Sequence, residues 1–129
     1  MNKINLVHED LSYRLRGIFY GVHNELGNFR NEKQFCDKIE AELKVNGLLY
    51  EREKVLPPSF DGEKKGRNRV DFLIENKIII EVKAKPSFTP EDFRQSKRYL
   101  VSFNIELCLL VNFGSKVCNV KRVLNPNFK

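Results

Sequence analysis

Residues 69–85 read RVDFLIENKIIIEVKAK. Two aliphatic runs flank Glu75-Asn76-Lys77, and Asn tolerates the left-handed backbone that a tight loop needs. The pattern is a β-hairpin. Residues two apart on a strand share a face. Ile78, Ile80, Val82 and Ala84 therefore form one apolar face, and Ile79, Glu81, Lys83 and Lys85 form the other. With the turn centred on Asn76, Asp71 and Glu81 stand equally far from it and face each other, roughly 5 Å apart at Cβ. Two like charges so placed repel, so something positive belongs beside them. Lys83 is one candidate. A hard divalent cation is the other, since Mg²⁺ takes one or two carboxylates together with waters and substrate phosphate. Spacing alone leaves two readings open. One is a metal site with Lys83 beside an attacking water. The other is a half-exposed strand carrying an Asp/Lys/Glu ion cluster.

The flanking segments place this hairpin in a larger sheet. Leu11, Leu15, Ile18, Phe19, Val22 and Leu26 recur at helical spacing, and Gly27 stops that helix. Asn31 caps a second helix, with Gln34 three residues on, a buried stripe of Phe35, Ile39 and Leu43, and an end at Asn46-Gly47. LLYEREKVLP, residues 48–57, alternates and reads as a strand closed by Pro57-Pro58. A turn at Asp61-Gly62 and the basic run Lys64, Lys65, Arg67 and Arg69 precede the hairpin. TPEDFRQSKRYLVSF, residues 89–103, starts a helix with Thr89 as cap, Pro90 in the first turn and Asp92 three past the cap. ELCLLVNF is a nearly continuous apolar strand suited to the middle of a sheet, and VCNVKRVL is a last strand. The expected order is α-α-β-β-β-β-α-β-β, an α/β architecture with one central sheet flanked by helices.

A chain of 129 residues with 31% charged residues fits one soluble domain spanning 1–129 rather than a disordered polymer. Its apolar runs fall short of the roughly 20 residues that cross a bilayer, and MNKINLVHED lacks a secretory core, so a cytoplasmic location with no membrane partner is expected. The formal charge of +6 raises the prior for a polyanionic partner, since phosphate neutralisation supplies most non-specific nucleic-acid affinity. Cys36, Cys108 and Cys118 form no C-x-x-C pair, which argues against zinc; Cys36 and Cys108 read as small buried hydrophobes. The Phe residues read as core rather than as stacking platforms.

Asp71 followed by Glu81-Val82-Lys83 resembles the signature of the PD-(D/E)xK nuclease superfamily, with Val70 in place of the Pro. More narrowly, the chain is similar to the small GxxExxY-type proteins within it. VHNELG (22–27) resembles their His-x-x-Leu-Gly segment, and NEKQFCDKIEAEL (31–43) their second helix. Glu32 matches the Glu of the naming motif, where Phe29 replaces the Gly and Phe35 the Tyr. QSKRY (95–99) resembles the Gln-x-x-x-Tyr helix, and LLVNFG (109–114) the closing strand. The similarity covers roughly residues 11 to 125, and its strength lies in the ordered set rather than in any one motif.

The resemblance implies a restriction-endonuclease-like core with a mixed sheet, and a metal-dependent nuclease acting on nucleic acid, with DNA the expected substrate. It implies Mg²⁺ or Mn²⁺ held by Asp71 and Glu81 with Glu32 in support, and a catalytic set of Asp71, Glu81, Lys83, Glu32 and Gln95. Glu32 also suits a first helical turn on dipole grounds alone, and Gln95 with Tyr99, one turn on, also reads as a polar residue above a packed ring. Lys64, Lys65, Arg67 and Arg69, and Arg94, Lys97 and Arg98 on the third helix, are candidate phosphate contacts; charge runs are also ordinary solvated faces. A homodimer fits a nuclease fold of this size. The alternative is a catalytically idle nucleic-acid-binding or regulatory protein of the same fold.

Overall fold

The computed structural model describes residues 6–129. Eight elements follow in chain order: α1 (Glu9–Leu26), α2 (Glu32–Val45), β1 (Tyr50–Val55), β2 (Arg69–Ile74), β3 (Ile78–Lys83), α3 (Pro90–Phe103), β4 (Leu107–Asn112) and β5 (Asn119–Leu124). The five strands lie side by side in sequence order. Only β3 and β4 run parallel, because α3 carries the chain back between them. The sheet is therefore mixed.

Three strands rather than four lie between α2 and α3, which corrects the expected order. Residues 56–68 do not pair as a strand. Pro57 and Pro58 remove two backbone donors, and Gly62 and Gly66 turn the chain at φ 97° and 85°. The Glu63 carboxylate organises this loop, accepting from Ser59 N–H at 2.6 Å, Ser59 Oγ at 2.9 Å and Asn68 Nδ2 at 2.7 Å. The basic run thus rides on a loop with a fixed frame. The reading of the extreme N-terminus falls in part on residues 1–5, outside the described residues. Among the described residues no helix is long and apolar enough to cross a membrane.

The helix boundaries follow their caps. Asn31 Oδ1 accepts from Gln34 N–H at 2.9 Å while Gln34 Oε1 accepts from Asn31 N–H at 3.0 Å, the reciprocal box that the sequence announced. Thr89 N–H donates to Asp92 Oδ2 at 2.8 Å at the start of α3. Gly27, at φ 77°, closes α1 with its N–H on the His23 carbonyl.

The two faces of the sheet carry separate cores. Phe72, Ile74, Ile78, Ile80, Val82, Leu109 and Val111 pack under α1 and α2. Leu73, Ile79, Cys108, Leu110 and Val123 pack under α3. The cysteines are buried, and burial pushes each thiol upward, so none presents a thiolate. Phe113, just past β4, joins the α1/α2 core. Its ring stacks on Phe35 at 4.5 Å and meets Phe19 edge-on at 6.3 Å and His23 at 6.2 Å. Such ring pairs add about 0.5–1.5 kcal/mol beyond burial. This explains Phe35 in the place of a Tyr: the ring makes the contact, and it is fully buried, where a hydroxyl would need a partner. His23 Nε2 lies 2.9 Å from the Ser115 carbonyl oxygen, so that nitrogen donates and His23 ties α1 to the turn after β4.

Truncating Phe113 to Ala is expected to cost about 3–5 kcal/mol of unfolding free energy. Denaturant unfolding measures it, and a loss below about 1 kcal/mol would remove Phe113 from its central place.

Candidate active site

The hairpin has the register read from the sequence. Phe72 pairs with Ile80, Leu73 with Ile79 and Ile74 with Ile78, about a turn in which Glu75 and Asn76 take φ 52° and 56°. Continued one step, this register sets Asp71 against Glu81. Recorded pairing stops at Phe72 and Ile80, and there a side chain takes over: Asp71 Oδ2 accepts the Val82 N–H at 2.7 Å. The carboxylate thus occupies a backbone donor where β2 and β3 end their ladder. On β1, Glu53 faces this position between the pairs Arg52↔Phe72 and Lys54↔Val70, and it takes a left-handed φ of 55°. A non-glycine residue seldom adopts that backbone in a strand. It breaks the ladder beside Asp71.

The face carrying Glu81 is not half-exposed, so the solvated-strand reading is corrected. Alternation puts Glu81 on the face of Ile79, which α3 covers, and Glu81 is only 5% exposed. Its Oε1 is buried with no hydrogen-bond partner. Burial first, and the Asp71 charge second, push the Glu81 carboxyl well above the usual range. Asp71 is also raised, by burial, although the Val82 N–H pulls it down. Neither carboxyl sheds its proton as easily as it would in water.

Glu32 approaches from the other layer. It opens α2 and lines a cavity of about 170 Å³ with Lys33, Cys36, Arg52, Glu53 and Asp71. Loss of solvation raises its carboxyl, Lys83 lowers it and Asp71 raises it again. Arg52 is held at that cavity by Asp37 Oδ1 at 2.7 Å and Glu40 Oε1 at 3.0 Å.

From α3, Gln95 Oε1 accepts from Lys83 Nζ at 3.4 Å. Asp92 is the residue the sequence reading missed as a site group: its carboxylate caps α3 and also lies 2.5 Å from Lys85 Nζ and 4.0 Å from Lys83 Nζ. Tyr99 is buried in the α3 core, with the Arg98 guanidinium over its ring at 5.7 Å. Asn112, fully buried, grips the chain beyond β3. Its Nδ2 donates to the Lys85 carbonyl at 2.8 Å and its Oδ1 accepts from Lys85 N–H at 3.1 Å. A Cβ on Gly114 would collide with the Ala84 and Lys85 backbone, so only glycine permits this approach.

The structure therefore brings Asp71, Glu81, Lys83, Glu32 and Gln95 to one end of the sheet. The basic candidates Lys64, Lys65, Arg67 and Arg69 are exposed on and after the loop, and Arg94, Lys97 and Arg98 are exposed on α3. Arg94 is engaged by Glu91 Oε2 at 3.0 Å. Phe29, 95% exposed just before α2, and Phe60, 63% exposed on the basic loop, depart from the reading of the phenylalanines as core.

Whether these residues suit a metal turns on the buried carboxylates. Among the described residues no group of three or more His, Cys, Asp or Glu side chains forms a ready ligand cluster. The donors at the centre are oxygens only, and one of them, Glu81 Oε1, is buried and unpaired. That set fits a hard cation of the Mg²⁺ kind, which keeps waters and needs only one or two carboxylates. It does not suit zinc, which favours sulfur and nitrogen.

A family model described as the PD-(D/E)XK nuclease superfamily matches residues 9–123. Among solved structures, an alkaline exonuclease from Laribacter hongkongensis superposes with a TM-score of 0.51 at 12% identity, over 98% of this chain and 62% of that one. The chain thus spans less than two thirds of that enzyme, and the likeness is one of fold. No curated protein matches it.

Glu81→Gln tests the buried carboxyl directly. With EDTA present, a raised native pKa means that the unfolded chain releases its proton first. Stability is then greatest below the ordinary Glu range and falls as pH rises through and above it. Glu81→Gln is expected to flatten that fall and to gain on the order of 1 kcal/mol at pH 7.5, with little difference at pH 4. Thermal unfolding against pH measures it. A variant less stable than wild type at pH 7.5 would contradict this account of Glu81.

Proposed function

Because this chain belongs to the PD-(D/E)XK nuclease superfamily, we propose that residues 1–129 act as one nuclease domain that hydrolyses phosphodiester bonds of DNA with Mg²⁺ or Mn²⁺. The observation that carries this reading is the buried, unpaired Glu81 Oε1 beside Asp71 at the point where the hairpin ladder ends. Glu81 is linked to the Asp71 carboxyl, and a purely structural strand has little use for two buried carboxyls set against each other with one oxygen left unpartnered.

Asp71 and Glu81 hold the cation, with Glu32 in support across the cavity. When bound, such an ion supplies Lewis-acid polarisation of the phosphoryl oxygen and lowers the pKa of a coordinated water. Asp71 is kept in place by the Val82 N–H. Lys83 presents its ammonium at the same strand end, where it stabilises charge developing on the phosphoryl oxygens or holds the attacking water in line. Gln95 steadies Lys83 through its side-chain oxygen. The exposed Lys and Arg side chains of the basic loop and α3 draw the backbone in without reading bases, so binding is salt-dependent and tolerant of sequence. Membership of the narrower GxxExxY-type group and a homodimer that engages both strands belong to this proposal.

The deciding experiment incubates the protein with single-stranded, duplex and branched DNA and with RNA, in Mg²⁺, Mn²⁺ or EDTA. The expected result is cleavage that needs the metal and falls at least about 1,000-fold in Asp71→Ala, the scale of losing a principal electrostatic stabiliser. Mg²⁺ is also expected to raise the melting temperature of wild type, by mass action, and not that of Asp71→Ala. Metal-independent binding with no cleavage of any substrate would favour the idle binding protein instead.

A further inference from the structure

The geometry points to Lys85 as a second phosphate-binding lysine of this site, held in the free protein by Asp92 and released to nucleic acid on binding. This rests on the nuclease reading and adds a neighbouring phosphate subsite to it.

Lys85 lies two residues past Lys83, just beyond the end of β3, and both ammonium groups come within 4.0 Å of the Asp92 carboxylate. Its backbone is immobilised: Asn112 bonds both its N–H and its carbonyl, and Gly114 packs against it with no room for a Cβ. Only the side chain is left to move. That side chain is 31% exposed, so it is reachable from solvent. Asp92 cannot follow it. The Asp92 side chain is 8% exposed, and its Oδ2 also accepts the Thr89 N–H that starts α3.

One carboxylate thus faces two lysines, with Lys85 Nζ at 2.5 Å and Lys83 Nζ at 4.0 Å. The placement is costly on local grounds, because an ammonium at a helix N-terminus opposes the helix dipole. An anion is favoured there, and a phosphate adds a further one. Lys85 is the open end of this pair, and Asp92 keeps the Thr89 N–H and the Lys83 ammonium when Lys85 leaves, so its ammonium can exchange the carboxylate for a phosphate oxygen. Lys83, held by Gln95, stays with the scissile phosphate while Lys85 reaches the next one.

The test is binding of labelled single-stranded and duplex DNA in EDTA, read as affinity against salt concentration, beside steady-state cleavage in Mg²⁺. Lys85→Ala is expected to lower the salt slope by about one. It is also expected to weaken low-salt binding about tenfold and to raise KM by a similar factor, with kcat within about threefold of wild type. Lys85→Arg is expected to restore both. Asp92→Asn keeps an acceptor for Thr89 N–H but loses the charge. It is expected to tighten binding severalfold in wild type and clearly less in the Lys85→Ala background, where only the longer Lys83 contact remains. Lys44→Ala, at the far end of α2, controls for general charge loss and is expected to leave the slope unchanged. A wild-type slope that Lys85→Ala does not alter, or an Asp92→Asn effect of equal size with and without Lys85, overturns this inference and leaves the nuclease reading standing. No salt-dependent binding by wild type overturns both.

Discussion

A carboxylate removed from water must meet a cation, accept hydrogen bonds or keep its proton, and Glu81 meets this constraint in its sharpest form. α3 seals its face of the sheet, Asp71 stands opposite, and Oε1 has no partner. Much of the surrounding structure answers to that pair. The Val82 N–H takes one carboxylate oxygen of Asp71. Lys83 ends the strand, and Lys85 follows just beyond it, both turned to Asp92. Arg52 and Glu32 stand at the cavity beside it. Remove the requirement to hold acidic groups dry and the left-handed Glu53, the parted ladder and the Asn112 clamp have no common reason to lie at one end of the sheet.

The site belongs to neither layer alone. Glu32 comes from the α1/α2 side, Gln95 and Asp92 from the α3 side, and Asp71, Glu81 and Lys83 from the sheet between them. Phe113 locks the first layer by stacking on Phe35, and the next residue, Gly114, sits against the strand end that carries the lysines. The segment 112–114 therefore does two things in three residues. Asn112 and Gly114 set the backbone of Lys85, and Phe113 fixes α1 and α2 over the other face. The geometry of the site is coupled to core packing through this short stretch.

The hairpin register was legible because Asn76 accepts the left-handed backbone of a three-residue loop, and that loop sets Asp71 opposite Glu81. The caps of α2 and α3 were legible because they are local. What failed to show was long-range. Glu-Val-Lys-Ala-Lys alternates as a solvated face does, and only α3, arriving some ten residues later, reveals that Glu81 is dry. Asp92 read as a capping residue, which it is, but its second task depends on where β3 ends in space. The expected order held four strands before α3 where the segments supply three: residues 59–68 read as a turn and a basic run, and their glycines keep them a loop. Phe29 and Phe60 looked like core because aromatic residues usually are; their exposure follows from the loops that carry them.

The order of the site residues along the chain has a consequence for synthesis. Glu32 leaves the ribosome before Asp71, Glu81 and Lys83, Gln95 follows them, and Asn112 and Gly114 come after it. β4, which pairs with β3 and brings the clamp on Lys85, is made only after α3. A nascent chain holds acidic and basic pieces but no assembled centre until β4 has emerged. The site is therefore complete only once β4 and residues 112–114 have joined the sheet.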